Sequence, residues 1–218
     1  LQNIPIRYEE GKKIRQAFVP EYDYILSYDY SQIELRVVAS LANVHALIDA
    51  FNHDMDIHTK TASDIFHVPV TEVTKDMRRQ AKAINFGIIY GMSDFGLAEQ
   101  VGVSIAQAKD FINRYFATYP EIKEYMDRVI DFAKKNGYVS TMMNRRRYIP
   151  EINDKNFMRR ELGKRLAMNS PIQGSAADLL KVAMIKVDRL MQEHHVQSKM
   201  ILQVHDELVF DVKADELE

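Results

Sequence analysis

Strand-forming sequence is confined to two places near opposite ends of this chain. The segment Tyr22 to Asp29 (YDYILSYD) is aromatic-rich and reads as a strand, while KMILQVHDELVFDV at 199–212 gives two apolar runs flanking His205, Asp206 and Glu207. The second segment predicts a β-hairpin with acidic residues at its turn. After Asp29 the spacing of Ile33, Val37 and Leu41 predicts a helix, so one strand ends in an aspartate and enters a helix. From Asp56 to Lys135 the pattern is helical, with interruptions expected at Pro69, at Gly87, Gly91, Gly96 and Gly102, and at Pro120. A further long helix is predicted from about Ile172 to His194. The expected class is α+β, with a mostly helical lobe inserted between two halves of one unit.

Composition narrows the chemistry. At 218 residues and 46% hydrophobic the chain is long enough to bury a core. No apolar run approaches the roughly 18 residues of a membrane span, and the first residues lack a signal peptide's pattern, so a soluble, cytoplasmic protein is expected. With no cysteine, any metal must be held by carboxylates, imidazoles or carbonyls, which favours hard cations such as magnesium. The net charge of -2 argues mildly against nucleic acid, but its distribution argues the other way. Between Ser140 and Ser170 eight basic residues, among them Arg145, Arg146 and Arg147, face three acidic ones. That stretch is either a solvated helix face or a groove for a phosphate backbone.

Two constellations carry chemistry. Asp29 at a strand end and Asp206 at a turn are each compatible with helix capping or turn formation. Brought together, two such carboxylates can bridge a pair of divalent cations and serve phosphoryl transfer. The second constellation is the run MRRQAKAINFGIIYG, where Arg78, Lys82, Phe86 and Tyr90 recur every four residues and share one slowly winding helix face. Two cations followed by two aromatic rings suit a triphosphate followed by a sugar and a base. An ordinary amphipathic helix, with the rings in a core and the cations solvated, is the alternative.

DYSQIELR at 29–36, RRQAKAINFGIIYG at 78–91 and VHDE at 204–207 together resemble the three polymerase motifs of family A DNA polymerases. The resemblance extends to LQNIPIR at 1–7, DIHTKTA at 56–62, NRRRYIPEI at 144–152 and NSPIQGSAADLLK at 169–181, and so covers essentially the whole chain. It implies an antiparallel palm sheet with a large, mostly helical fingers insertion: palm at 1–55 and 171–218, fingers at 56–170. The family's thumb and exonuclease domains have no counterpart here, and a truncated piece of a longer enzyme is expected.

The resemblance also implies roles. Asp29 and Asp206, with the carbonyl of Tyr30 and with Glu207 nearby, would hold two Mg2+ ions. Arg78, Lys82 and His58 would hold the triphosphate, with Lys82 donating a proton to the departing pyrophosphate. Phe86 would lie against the sugar and disfavour dideoxynucleotides. Glu34, supported by Tyr90, would occupy the space of a ribose 2′-hydroxyl. Gln32, Arg165, Asn169, Gln173 and His205 would touch the nucleotide or the primer–template duplex, while Arg145, Arg146 and Arg147 either contact the template or brace the lobe. The partners implied are primer–template DNA and dNTPs, with a monomer as the expected state. The activity implied is template-directed DNA synthesis in replication and repair. A fragment that binds Mg-dNTP or DNA without turnover is the competing reading, and a two-metal nuclease leaves the 78–90 row unexplained.

Overall fold

The alternation of residues along three strands builds the first compact unit, which comprises residues 1–33 and 177–218. The computed structural model describes residues 4 and 8–217, so nearly all of the LQNIPIR motif lies outside the described residues. A short helix α1 (Glu9–Arg15) precedes strand β1 (Tyr24–Asp29). The pattern then predicts a helix, and α2 (Ile33–Ala42) forms there, followed by α3 (His45–Asn52).

In the second unit, residues 34–176, polar caps start one helix after another. Asp56 caps α4 (Ile57–Phe66) by accepting from the N–H groups of His58 and Thr59. Thr74 caps α5 (Lys75–Ile89), and Ser93 caps α6 (Asp94–Val101). Ser104 forms a capping box with Gln107 at α7 (Ile105–Thr118), and Pro120 opens α8 (Pro120–Asn136). Of the expected interruptions, Gly91 and Gly102 end helices with φ of 64° and 79°, whereas Gly87 and Gly96 lie inside α5 and α6. A Cβ on Gly87 would sit 3.4 Å from Met92 Sδ, an ordinary contact, and the helix continues through that glycine.

The basic stretch contains structure that the pattern did not reveal. Strands β2 (Tyr138–Ser140) and β3 (Arg146–Tyr148) form an antiparallel hairpin, and Arg146 lies over the Tyr138 ring at 4.6 Å. Helix α9 (Phe157–Glu193) begins well before the expected Ile172 and runs through Pro171. Proline lacks an N–H, so one ladder bond is forfeited there while the helix continues.

The last strands, β4 (Lys199–Val204) and β5 (Glu207–Val212), form the expected hairpin, and β1 joins it in the order β1-β5-β4. The register pairs Tyr24 with Val212, Leu26 with Phe210 and Asp29 with Glu207. Leu26, Leu208, Phe210 and Val212 therefore share one face, and they pack on Leu180, Met184, Val187 and Met191 of α9. Ser27, Asp29 and Glu207 point to the opposite face by the same alternation. Asp211, buried, accepts from the N–H groups of Glu21 and Tyr22 at 2.7 and 3.0 Å and so fixes where β1 begins. A single turn of 3-10 helix, Ala214–Glu216, follows β5. Among the described residues no helix is long and apolar enough to cross a membrane.

Gly163 in α9 lies directly over the backbone of residues 151–152, where an added Cβ would stand 2.7 Å from Ile152 N and Cα. Backbone cannot move aside as a flexible side chain can. Gly163→Ala is therefore expected to destabilise by about 1–3 kcal/mol despite alanine's better helix propensity, read as a lowered Tm in thermal unfolding. A Tm equal to or above the parent's would refute the close approach.

Candidate active site residues

Long-range pairing places carboxylates at one end of the sheet. β1 ends at Asp29, whose Cα partner is Glu207, and the Tyr30 N–H donates to the carbonyl of Asp206 at 3.2 Å. Asp29 and the Asp206 turn, separate in sequence, thus lie at adjacent positions. Slight desolvation, and then the charges of Asp206 and Glu207, raise the pKa of Asp29 above its ordinary value. Glu207 accepts a hydrogen bond from the Ser27 hydroxyl.

The hairpin loop consists of His205 and Asp206, and His205 adopts φ 54°, the left-handed region that glycine occupies at lower cost. Gln32 is likewise left-handed at φ 55°. Such backbone persists where surrounding structure over-determines it, commonly at functional sites.

Asp29, Asp206 and the Tyr30 carbonyl provide oxygen donors alone, the chemistry that suits a hard divalent cation. Among the described residues no group of three or more His, Cys, Asp or Glu side chains converges to hold a metal. Two carboxylates with open positions for substrate and water oxygens nonetheless match how magnesium is usually held, so the donor set fits it.

The second unit carries the 78–90 row. The core face of α5 is Ala81, Ile84, Asn85, Ile88 and Ile89, all buried. Arg78 and Lys82 are exposed, and Phe86 and Tyr90 are half-buried, so the row lies beside the core face rather than in it. The two rings are nearly parallel, with centroids 6.2 Å apart. Tyr90 donates its hydroxyl hydrogen to Glu34 Oε2 at 2.6 Å, joining the start of α2 to the end of α5.

His58 faces the same row, with its ring 5.7 Å from that of Phe86. Arg78 reaches Asp56 Oδ2 through Nη2 at 2.6 Å and through Nε at 2.7 Å. Desolvation works against the Asp56 carboxylate, but the Arg78 hydrogen bond, the helix N–H groups and the Arg78 charge outweigh it and hold its pKa below the ordinary value. Asp56 was not among the expected site residues; its contact with Arg78 joins residues 22 apart, which local pattern does not show.

Of the remaining expected residues, Asn169 donates through Nδ2 to the Tyr90 carbonyl at 3.4 Å, beside Gly91. A Cβ on Gly91 would meet Met168 Cε at 2.7 Å and Arg165 Cγ at 3.1 Å, so α9 packs tightly on the end of α5. Arg165 and Gln173 are exposed. Arg145 donates to the Gly174 carbonyl at 2.9 Å, bracing the β2–β3 hairpin on α9 next to Gln173. A small cleft of about 100 Å³ there is lined by Ser140, Arg145, Arg146, Arg147 and Gln173.

The whole chain, residues 1–218, matches DNA polymerase family A. It is 55% identical to DNA polymerase I of Geobacillus stearothermophilus over 220 residues, 54% to that of Bacillus subtilis and 53% to that of Pseudomonas aeruginosa. Each alignment takes in 100% of this chain but only 24–25% of the relative, so the chain spans about a quarter of the curated proteins it matches. A solved structure described as the POL domain of Pol1 from M. smegmatis in complex with DNA primer-template and dNTP superposes with a TM-score of 0.92. That match is 47% identical and covers 99% of this chain and 38% of the other. The chain belongs to DNA polymerase family A.

His58 gives this region a pH signature. Burial, first of all, lowers its pKa from 6.5 to about 4, with Asp56 opposing and Arg78 and Lys82 reinforcing the shift. The folded state therefore binds fewer protons than the unfolded chain between those values. The stability from a neutral His58 is complete above pH 6.5 and is lost as pH falls toward 4. Acid unfolding of the parent and of His58→Gln should thus converge in that window, measured by urea denaturation across pH. A constant difference between the two would argue against a neutral, buried imidazole.

Proposed function

We propose that this chain is the nucleotidyl-transfer region of a DNA-directed DNA polymerase, adding deoxynucleotides from dNTPs to a primer 3′-hydroxyl as the template directs, in DNA replication and repair. The observation that supports this most is the adjacency of Asp29 and the Asp206 turn at one end of the sheet. In this reading residues 1–55 and 171–218 act as palm and residues 56–170 as fingers, in a cytoplasmic, monomeric enzyme.

Asp29, Asp206 and the Tyr30 carbonyl would hold two Mg2+ ions, with Glu207 as an accessory acid; such ions, when bound, acidify the attacking hydroxyl and neutralise the departing pyrophosphate. The chain's own residues do the rest. Arg78 and Lys82 bind phosphate oxygens, with Arg78 leaving or sharing its contact with Asp56, and Lys82 supplies a proton to pyrophosphate. His58 offers a further hydrogen bond to the triphosphate. Phe86 packs on the sugar, and the Tyr90–Glu34 pair fills the space that a 2′-hydroxyl needs. Gln32, Arg165, Asn169, Gln173 and His205 position the nucleotide and the primer–template end. Contacts of this kind read backbone and shape, leaving sequence choice to base pairing.

Single-nucleotide incorporation on a primer–template with magnesium, compared between the parent and Asp206→Asn, tests the reading. Complementary-only incorporation that falls to background in the variant is expected. A folded parent that binds Mg-dNTP but incorporates nothing would instead make the chain a binding fragment.

The gate is tested separately. Glu34→Ala should raise ribonucleotide use relative to deoxynucleotide by roughly 10–200-fold, the range over which a pocket discriminates by shape. An unchanged ratio in competitive incorporation would remove Glu34 from that role.

A further inference from the structure

Helices α4 and α5 are joined by buried polar side chains that the proposed chemistry leaves without a role. His58, Thr61 and Asn85 are exposed by 3%, 0% and 1%. Tyr119, exposed by 1%, extends the run to Asp64.

Lys60 Nζ lies 2.6 Å from both oxygens of Asp64, and a carboxylate so paired only accepts. Tyr119 donates to it at 2.6 Å; burial first, and then Asp64, raise the pKa of the phenol and keep it protonated. Thr61 accepts from Asn85 Nδ2 at 3.1 Å. The Thr61 hydroxyl donates in return to Asn85 Oδ1 at 3.3 Å, so the two side chains hold each other in the orientation that turns Nδ2 toward His58.

The same Nδ2 lies 3.2 Å from His58 Nδ1. An amide nitrogen donates and cannot accept, so Nδ1 carries no proton, and the single proton of a neutral ring resides on Nε2. We propose that Asn85, held by Thr61, is a positioning residue that fixes His58 as the neutral Nε2–H tautomer, giving the triphosphate one directed hydrogen bond and no charge. The inference rests on the reading in which His58 meets the triphosphate. Burial and the cations Arg78 and Lys82 already disfavour a charged ring, with Asp56 alone opposing them. Asn85 adds the choice of nitrogen, which burial and charge do not make.

Two-bond 1H–15N correlation of the histidine rings in the 15N-labelled protein reads this directly, with His58 identified by its loss in His58→Gln. At pH 7 the expected spectrum shows Nδ1 unprotonated and Nε2 protonated. The opposite tautomer, an average of the two or an imidazolium would overturn the proposal with no further variant needed. In Asn85→Asp the new carboxylate accepts from Nδ1–H, so the His58 titration should move up by roughly 1–3 pH units with Nδ1 protonated. An unmoved titration in a folded Asn85→Asp protein would also overturn it. Adding Mg-dNTP to the parent should perturb Nε2. If Nε2 is protonated as expected but does not respond, the triphosphate contact fails while the control of the tautomer by Asn85 stands.

Discussion

The register in which β1 meets β5 decides what the acidic end of the sheet can do. Side chains alternate faces with a period of two, so a slip of one residue would move Leu26 off the apolar face and turn Asp29 into it. Two features prevent the slip. Leu26, Leu208, Phe210 and Val212 must all reach the same cluster on α9, and Asp211 grips the N–H groups of Glu21 and Tyr22 at the start of the strand. An apolar face and one buried carboxylate thereby set the position of two other carboxylates at the far end of the strand. Closing a chain over so long an insertion costs little more than closing a shorter loop, because the entropy grows only logarithmically with length.

The second unit solves a different problem, that of holding cations and rings beside a helix without burying them. Helix α5 turns its apolar residues and Asn85 inward, and the 78–90 row follows the edge of that face. Three of the row's four members have support from another element: Asp56 for Arg78, the His58 ring for Phe86, and Glu34 for Tyr90. The end of α5 is further held by Asn169 and by the side-chain-free surface of Gly91. In the proposed reading, side chains that meet the nucleotide are thus restrained before it arrives, which reduces the ordering cost of binding.

Much of this was legible from local pattern and some of it was not, for identifiable reasons. The four-residue spacing from Arg78 to Tyr90 is a local property of one helix, so the shared face could be read directly. Asp29 and Asp206 stood out by their places at a strand end and a turn, but their adjacency depends on pairing between distant strands. The β2–β3 hairpin escaped notice because three-residue strands are too short to show alternation, and Pro171 hid the early start of α9. Gly87 and Gly96 were read as breaks because helix propensity is a weak prior that packing overrides. Asn85 was hidden by its neighbours, since a single amide on an apolar face gives no periodic signal.

The two groups of residues differ in how they manage charge. At the sheet end, like charges gather around Asp29 and raise its pKa, a condition that a bound cation would relieve. Around the 78–90 row the opposite holds, because cations gather and the nearby imidazole is kept neutral by burial and by its hydrogen bonds. A protonated His58 would add a third positive charge beside Arg78 and Lys82 while no anion is present, and the repulsion would weaken the helix packing that holds all three. In the proposed reading, keeping His58 neutral would let the region attract an anion with two exposed cations and still pack its third donor inside. Acidic and basic residues that are separated in this way still cancel in the total, which leaves the modest net charge of -2.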